Sequence, residues 1–145
     1  MDRRNIFRGA LAAGLAGLGA IAARAETKGA QRVVYHLADA EKVLFVLGNV
    51  HNHLEGVDAP QAISLAVVAH GPALRLFRVD GSNPELRSGT EAALKAGVAF
   101  HACAHTMAAQ KLTLADLIPG FVVAPKGAVV LLADLQAQGW AYLRP

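Results

Sequence analysis

The sequence predicts an α/β domain built around a mostly parallel sheet of about five strands. Short apolar runs of the kind that form buried strands alternate with segments whose apolar residues recur at helical spacing. Glycines stand where the helical patterns stop, at Gly56, Gly97 and Gly139. Strands that alternate with helices are typical of a parallel sheet covered on both faces.

Each element follows from its own local pattern. The predicted strands are 32–37, 62–69, 98–103, 121–123 and 140–143. Helices are predicted at 40–55, 85–96, 106–111 and 128–138, the last with Val129, Leu132 and Leu135 facing inward. Residues 73–77 fit either a small strand or a helical turn, and residues 113–116 have the spacing of a capping box with aspartate in place of glutamate.

The first 25 residues are expected to be an export signal outside the fold. Arg3 and Arg4 open a positively charged start, an uncharged stretch of small and apolar residues follows, and Ala23-Arg24-Ala25 fits a cleavage site. The uncharged stretch has 15 residues, whereas a membrane-spanning helix needs about 20. We therefore expect a twin-arginine-type signal, a single periplasmic domain at 26–145, and no membrane span in the mature form.

Charge and cysteine content narrow the function further. Of the 14 basic and 11 acidic residues, four basic residues and one acidic residue lie in the predicted signal, so the remaining domain is neutral. Because nucleic-acid binding requires a basic surface, this function is excluded. The only cysteine, Cys103, has no partner for a disulfide within the chain.

Cys103 ends the third predicted strand, directly before a predicted helix start. The amides and dipole of a helix start favour a thiolate, which is the nucleophilic form of cysteine. His36 lies near the end of the first strand and His70 just past the second. Ligands bind at this edge of open α/β sheets, so these side chains are predicted to form a site there if the strand order brings them together. The alternative is a buried, inert thiol.

Other side chains suggest weaker alternatives. Cys103, His105 and Met107 have ligand types that suit a soft metal such as copper. His101 shares a strand face with Cys103 and is interpreted as a hydrogen-bonded core histidine. On the first helix, Asn49 and His53 share a face and are interpreted as part of a solvated or subunit-facing stripe, whereas His51 does not share a face with His53. The sequence has no phosphate-binding glycine loop, no zinc-protease motif, no paired cysteines and no G-x-S-x-G motif, so no cofactor or metal is predicted.

Several of these segments together resemble the DsrE/DsrF-like (YchN-like) family, in its exported branch. The segments that carry the resemblance are 49–52, 67–72, 96–107, 118–120, 126–129 and 135–145. The resemblance implies a three-layer α/β/α fold, assembly as a homotrimer or homohexamer, and an association with sulfur metabolism.

By position, Cys103 matches the cysteine that carries sulfane sulfur as a persulfide in sulfur-relay members of this family. The first hypothesis is therefore a periplasmic sulfur carrier, a sulfurtransferase-like protein, in which His70, His36 and His105 tune or orient the Cys103 sulfur. The second is a soft-metal or small-ligand binding module, and the third is a structural oligomer with an inert cysteine.

Overall fold

The computed structural model describes residues 30–58 and 62–145. The predicted signal, 1–25, lies outside the described residues. Within them the strands are β1 (Gln31–Leu37), β2 (Ile63–Ala69), β3 (Ala99–Cys103), β4 (Phe121–Ala124) and β5 (Ala141–Leu143). The helices are α1 (Val43–Gly56), α2 (Gly71–Leu74), α3 (Pro84–Lys95), α4 (Ala104–Gln110) and α5 (Ala128–Ala137). Short 3-10 turns occupy Ala40–Lys42, Arg75–Phe77 and Leu114–Asp116.

The strands form one five-stranded sheet in the order β4-β3-β2-β1-β5. Every pair is parallel. The chain moves from β1 to β4 in one direction across the sheet, and then returns to the opposite edge to add β5. Because crossovers between parallel strands are right-handed, the reversal places α5 on the face opposite to the other helices. The predicted α/β class, with a parallel sheet covered on both faces, is confirmed.

The two faces bury cores of different size. On the larger side, helices α1 to α4 pack against inward residues of β1 to β4, and the rings of Phe77, Phe100 and Phe121 meet at its centre with centroids 5.2 to 6.2 Å apart. On the smaller side, α5 alone covers the sheet, and the buried members of this cluster are Val34, Ala66, Val68, Cys103, Ala128, Leu132 and Leu135.

Local signals start several of these elements. The Asn83 side chain accepts a hydrogen bond from the Glu85 amide at 2.8 Å, which caps α3 ahead of Pro84 in its first turn. The Asp116 carboxylate accepts hydrogen bonds from the Thr113 amide at 2.7 Å and from the Thr113 hydroxyl at 2.8 Å. These bonds confirm the predicted turn at 113–116.

Two details of the sequence interpretation change. Residues 73–77 are helical throughout, which removes the small strand from the alternatives. Val129, predicted to face inward, is 72% exposed, and Ala128 takes the buried position one residue earlier. Because residues 128–132 are all apolar, periodicity alone could not choose the inward face of α5.

None of the helices within 30–58 and 62–145 combines the length and the apolar character that crossing a membrane requires.

Candidate functional site at the carboxyl edge of the sheet

Four side chains form a diagonal row across the sheet on the α5 side, hereafter the edge row: Tyr142, His36, His70 and Cys103. Tyr142 pairs in register with Val34, two residues before His36. His36 pairs with Val68, two residues before His70. Ala69 pairs with Ala102, so His70 and Cys103 follow at the same level of neighbouring strands. The strand order therefore brings the predicted residues His36, His70 and Cys103 to one edge.

Cys103 lies at the junction of β3 and α4. It is the N-cap residue of α4, with φ −65° and ψ 120°. Its Sγ accepts a hydrogen bond from the Ala128 amide at 3.3 Å, which links the end of β3 to the first residue of α5. The side chain is buried, with 5% of the residue exposed. The sulfur thus lies just below the surface, held by backbone donors from two helices.

Opposing effects act on the pKa of Cys103. Burial raises it, because a thiolate loses hydration. Hydrogen bonds from the Thr106 amide and hydroxyl and from the Ala128 and His105 amides lower it, and together they outweigh burial. The net pKa lies below the ordinary value, so the site favours the thiolate.

Hydrogen bonds hold the loop after β2 against α4. The Gly71 amide donates to Thr106 Oγ1 at 3.0 Å, and Gln110 Nε2 donates to the Gly71 carbonyl at 2.8 Å. The φ of Gly71 is +54°, in the region that favours glycine. These contacts fix the loop that carries His70 relative to the helix that Cys103 caps.

Gly127 brings β4 and α5 close to the sulfur. Its φ is +91°, and a Cβ built on it would lie 2.6 Å from His105 Cδ2 and 3.8 Å from Cys103 Sγ. There is no room for a side chain between the imidazole and the loop. His105, which is exposed, therefore lies over Gly127 beside the sulfur.

His36 and His70 face each other through their Nε2 atoms, which are 2.5 Å apart. The ring centres are 4.8 Å apart with a 16° angle between planes. The ring planes are nearly parallel, and rings stacked one above the other could not approach as closely as the two nitrogens do. The two imidazoles therefore meet edge to edge. His36 Nδ1 also contacts the Tyr142 hydroxyl at 2.5 Å, so His36 joins Tyr142 to His70.

The two imidazoles favour the neutral state. Burial lowers the pKa of His36, and nearby His70 and Arg144 lower it further, whereas Asp39 opposes them. Burial also lowers the pKa of His70, with the same opposing influences from Arg144 and Asp39. Arg144 and Asp39 form an ion pair with a 3.2 Å Nη2–Oδ2 distance, so their influences partly cancel.

The soft-metal set considered as an alternative, Cys103, His105 and Met107, is not assembled. Met107 packs in the larger core, whereas Cys103 belongs to the smaller core across the sheet. Among the described residues, no group of three or more His, Cys, Asp or Glu side chains is arranged to hold a metal ion.

His101 lies on the same face as Cys103 but differs from the predicted core histidine. Its imidazole is half-buried and makes no hydrogen bond within the described part of the chain. Burial lowers the pKa of His101. It lines a cleft of about 290 Å³ with residues 122–127 and three residues of α5, Val130, Leu131 and Asp134. Since Gly127 borders both this cleft and the sulfur, the cleft lies next to the site.

The histidines of α1 belong elsewhere. His51 pairs with Glu55 on the exposed surface at 3.2 Å. His53 Nδ1 contacts the Tyr35 hydroxyl at 2.8 Å. His53 and Asn49 line a separate cavity of about 460 Å³ at the β1–β5 side of the molecule.

Sequence reasoning missed three residues of the site: Tyr142, Thr106 and Gly127. A glycine between a Pro-Lys turn and a helix start was the one available signal for Gly127. No feature of the sequence indicated Tyr142, because it approaches His36 only when β5 pairs beside β1.

No protein-family model matches the chain, and no curated protein matches it. Solved structures do match. MTH1491 from Methanobacterium thermoautotrophicum, a protein of unknown function, is 31% identical with a TM-score of 0.70, and the match covers 79% of this chain and 99% of that one. YchN from E. coli is 16% identical with a TM-score of 0.64, and the match covers 79% of this chain and 99% of YchN.

A third structure, the conserved protein BT1422 of unknown function from Bacteroides thetaiotaomicron, is 13% identical with a TM-score of 0.56, covering 79% of this chain and 95% of that one. The parallel sheet and its helices define a YchN-like, DsrE-like α/β fold. Within that class, the chain belongs to the same family as MTH1491, which it matches over nearly the full length of that protein.

Proposed function

We propose that this protein is a sulfur carrier that accepts sulfane sulfur on Cys103 and passes it on as a persulfide. The observation that carries the proposal is the position of the thiol. Cys103 ends β3 at the carboxyl edge of the sheet, and its sulfur accepts a hydrogen bond from the Ala128 amide. Hydrogen bonds lower its pKa despite burial. A thiolate with these donors around it is suited to attack the outer sulfur of a persulfide or polysulfide.

The YchN-like fold supports the same proposal, because the sequence resembles the DsrE/DsrF-like proteins, whose relay members carry sulfur on a cysteine. His105 beside the sulfur, and His70 at the same level of the next strand, are proposed to orient the bound sulfur or tune its ionisation. The cleft lined by His101 is proposed to admit the donor.

The test is intact-mass measurement after incubation with polysulfide or thiosulfate, followed by transfer to cyanide as a small acceptor. Native wild type is expected to gain the mass of one sulfur atom and to lose it to cyanide, whereas Cys103→Ser gains nothing. Wild type unfolded in urea serves as a second control, because any free thiol reacts slowly with polysulfide. Equal rates for folded and unfolded protein would contradict a dedicated carrier.

The low exposure of Cys103, 5%, favours one rival, an inert thiol in a structural protein. Alkylation with a small reagent separates the two. A carrier is expected to react faster in the native state than in the unfolded chain, because hydrogen bonds lower the pKa of Cys103. Reaction only after denaturation would support the rival.

We also propose that the protein is exported to the periplasm and assembles as a homotrimer or homohexamer. Export is tested by fusing residues 1–25 to a reporter that is active only in the periplasm, with Arg3→Lys, Arg4→Lys as the control that should abolish export. Assembly is tested by light scattering coupled to size exclusion. A monomer at micromolar concentration would contradict the second proposal.

A further inference from the structure

We infer that Tyr142, His36 and His70 form a proton relay that serves the sulfur at Cys103. This inference rests on the proposed function and adds to it the route by which a proton reaches the departing group of the sulfur donor. It starts from the unusual contact in the edge row, in which two imidazoles meet through their Nε2 atoms and a phenol meets the far nitrogen of one of them.

The contact requires a shared proton. Two imidazole nitrogens 2.5 Å apart repel unless one carries hydrogen and the other accepts it. A metal ion does not explain the contact, because a bound metal lies about 2.0 to 2.1 Å from each imidazole nitrogen and would hold the two nitrogens farther apart. A hydrogen bond is the arrangement that fits edge-to-edge rings.

The hydrogen bonds from Tyr142 to His36 and from His36 to His70 run in one direction and leave a hydrogen-bond donor on His70. If the Tyr142 hydroxyl donates to His36 Nδ1, then His36 carries its hydrogen on Nε2 and donates to His70 Nε2. His70 must then carry its own hydrogen on Nδ1. Within the described residues His70 Nδ1 has no hydrogen-bond partner, and the only fully buried side-chain atom without one is Gln110 Oε1. His70 Nδ1 is therefore not fully buried, and its hydrogen is not used within the described part of the protein.

His70 is also the member of the relay that lies on the strand beside that of Cys103. Its backbone is extended, with φ −151° and ψ −178°, and its amide donates to the Leu37 carbonyl at 3.0 Å. It therefore continues β2 by one residue, at the level of Cys103 on β3 and on the same face. Neighbouring strands lie about 4.8 Å apart, so a donor held at the sulfur brings its departing group close to His70.

The Cys103 thiolate attacks the terminal sulfur of an alkyl hydropersulfide, R–S–SH. A bond forms between Sγ and the terminal sulfur, and the S–S bond of the donor breaks, with its electron pair leaving on the alkyl sulfur. That sulfur takes the Nδ1 proton of His70 and leaves as R–SH, while Cys103 holds the persulfide, Cys–S–SH. His70 Nε2 then takes the His36 proton, and His36 Nδ1 takes the Tyr142 proton.

Solvent replaces the last proton, because Tyr142 is 39% exposed at the sheet edge. The relay thus connects a half-buried imidazole with bulk water. The charged groups near both imidazoles are Asp39 and Arg144, which are paired with each other, so neither can act as a free acid or base beside the chain.

The experiment compares two sulfur donors with different leaving groups. An alkyl hydropersulfide releases a basic thiolate that needs a proton, whereas an aryl hydropersulfide releases a weakly basic one that does not. Transfer to Cys103 is followed by rapid quenching and intact mass, in wild type, His70→Gln, His36→Gln and Tyr142→Phe. His51→Gln, on the exposed face of α1, is the matched control.

His70→Gln is expected to slow transfer from the alkyl donor by about 10²-fold and to leave transfer from the aryl donor unchanged. Tyr142→Phe, an exposed change that does not threaten folding, is expected to slow the alkyl reaction alone and by a smaller factor. Equal slowing with both donors would assign His70 a structural role and overturn the relay. Unchanged rates with both donors would overturn it as well.

A second measurement separates failure of the relay from failure of the proposed function. In ¹⁵N NMR of the full chain carrying Cys103→Ser, the chain of contacts predicts His36 as the Nε2–H tautomer and His70 as the Nδ1–H tautomer, with the His36 signals changed by His70→Gln. If wild type acquires no sulfur from either donor, the proposed function fails and the relay loses its role even if the NMR finds these tautomers. If sulfur is acquired but the tautomers differ, only the relay is overturned.

Discussion

The Cys103 sulfur lies 3.3 Å from the backbone nitrogen of Ala128, so the thiol that ends β3 is held by the first residue of α5. These residues are 25 positions apart in the chain. The contact exists because α5 crosses back over the sheet on the face that Cys103 shares with the ends of β1 and β2. It makes the ionisation of the thiol depend on the tertiary structure.

The first prediction concerns that ionisation. The pH dependence of native alkylation is expected to have its midpoint below 9.0, because hydrogen bonds lower the pKa of Cys103. Thr106→Val removes a hydroxyl that contributes to this lowering, so the midpoint should rise, whereas Thr106→Ser should keep it near that of wild type. Val and Ser variants with the same midpoint would show that the Thr106 hydroxyl does not stabilise the thiolate.

The second prediction concerns Gly127. Gly127→Ala places a Cβ 2.6 Å from the His105 ring at a φ of +91°, so both strain and collision oppose it. We expect the free energy of unfolding in urea to fall by about 1 to 2 kcal/mol. Gly48→Ala is the control: its Cβ would meet nothing within 4 Å in the middle of α1. That change should stabilise the protein by about 0.5 to 1 kcal/mol. The same sign for both variants would contradict the geometry.

The third prediction concerns the stability of the protein at acidic pH. Burial holds the pKa of His36, His70 and His101 below the ordinary 6.5. The unfolded chain therefore binds protons more readily, and the free energy of unfolding should fall as the pH drops below 6.5 toward the folded pKa values. The free energy of unfolding, measured in urea between about pH 7.5 and about pH 5, should depend less steeply on pH in His70→Gln than in wild type. A slope unchanged by this substitution would refute the contribution of His70.

The fourth prediction tests the larger core. Phe100 is fully buried between Phe77 and Phe121. Phe100→Ala is expected to lower the free energy of unfolding by about 3 to 5 kcal/mol, because it removes a large side chain that the surrounding rings cannot replace. Val122→Ala, on β4 but 56% exposed, should change it by less than about 0.5 kcal/mol. Comparable losses would mean that β4 is covered in solution.

The fifth prediction tests the soft-metal alternative. Met107 packs in the larger core, away from the sulfur. Met107→Leu keeps the volume and should cost less than about 1.5 kcal/mol. Copper affinity, measured by competition with a chelator, should not change in this variant. A clear loss of affinity would place Met107 among the ligands and revive that function.

The sequence by itself determined the class of fold and the chemistry available. Alternating strand and helix patterns predict a parallel sheet, because the spacing of apolar residues is a local property. The position of Cys103 at the end of a strand followed in the same way. The predicted inward position of Val129 failed where α5 is apolar on nearly all sides.

Only the tertiary structure decided which of the candidate residues meet. The order β4-β3-β2-β1-β5 places β1 and β2 side by side, which joins His36 to His70, and adds β5 at the edge, which brings Tyr142 to His36. Cys103 faces the α5 side at the end of β3, whereas Met107 on α4 packs into the larger core on the other side of the sheet. Strand order and the face that each helix covers depend on the packing of the whole chain, and no local pattern of residues records them.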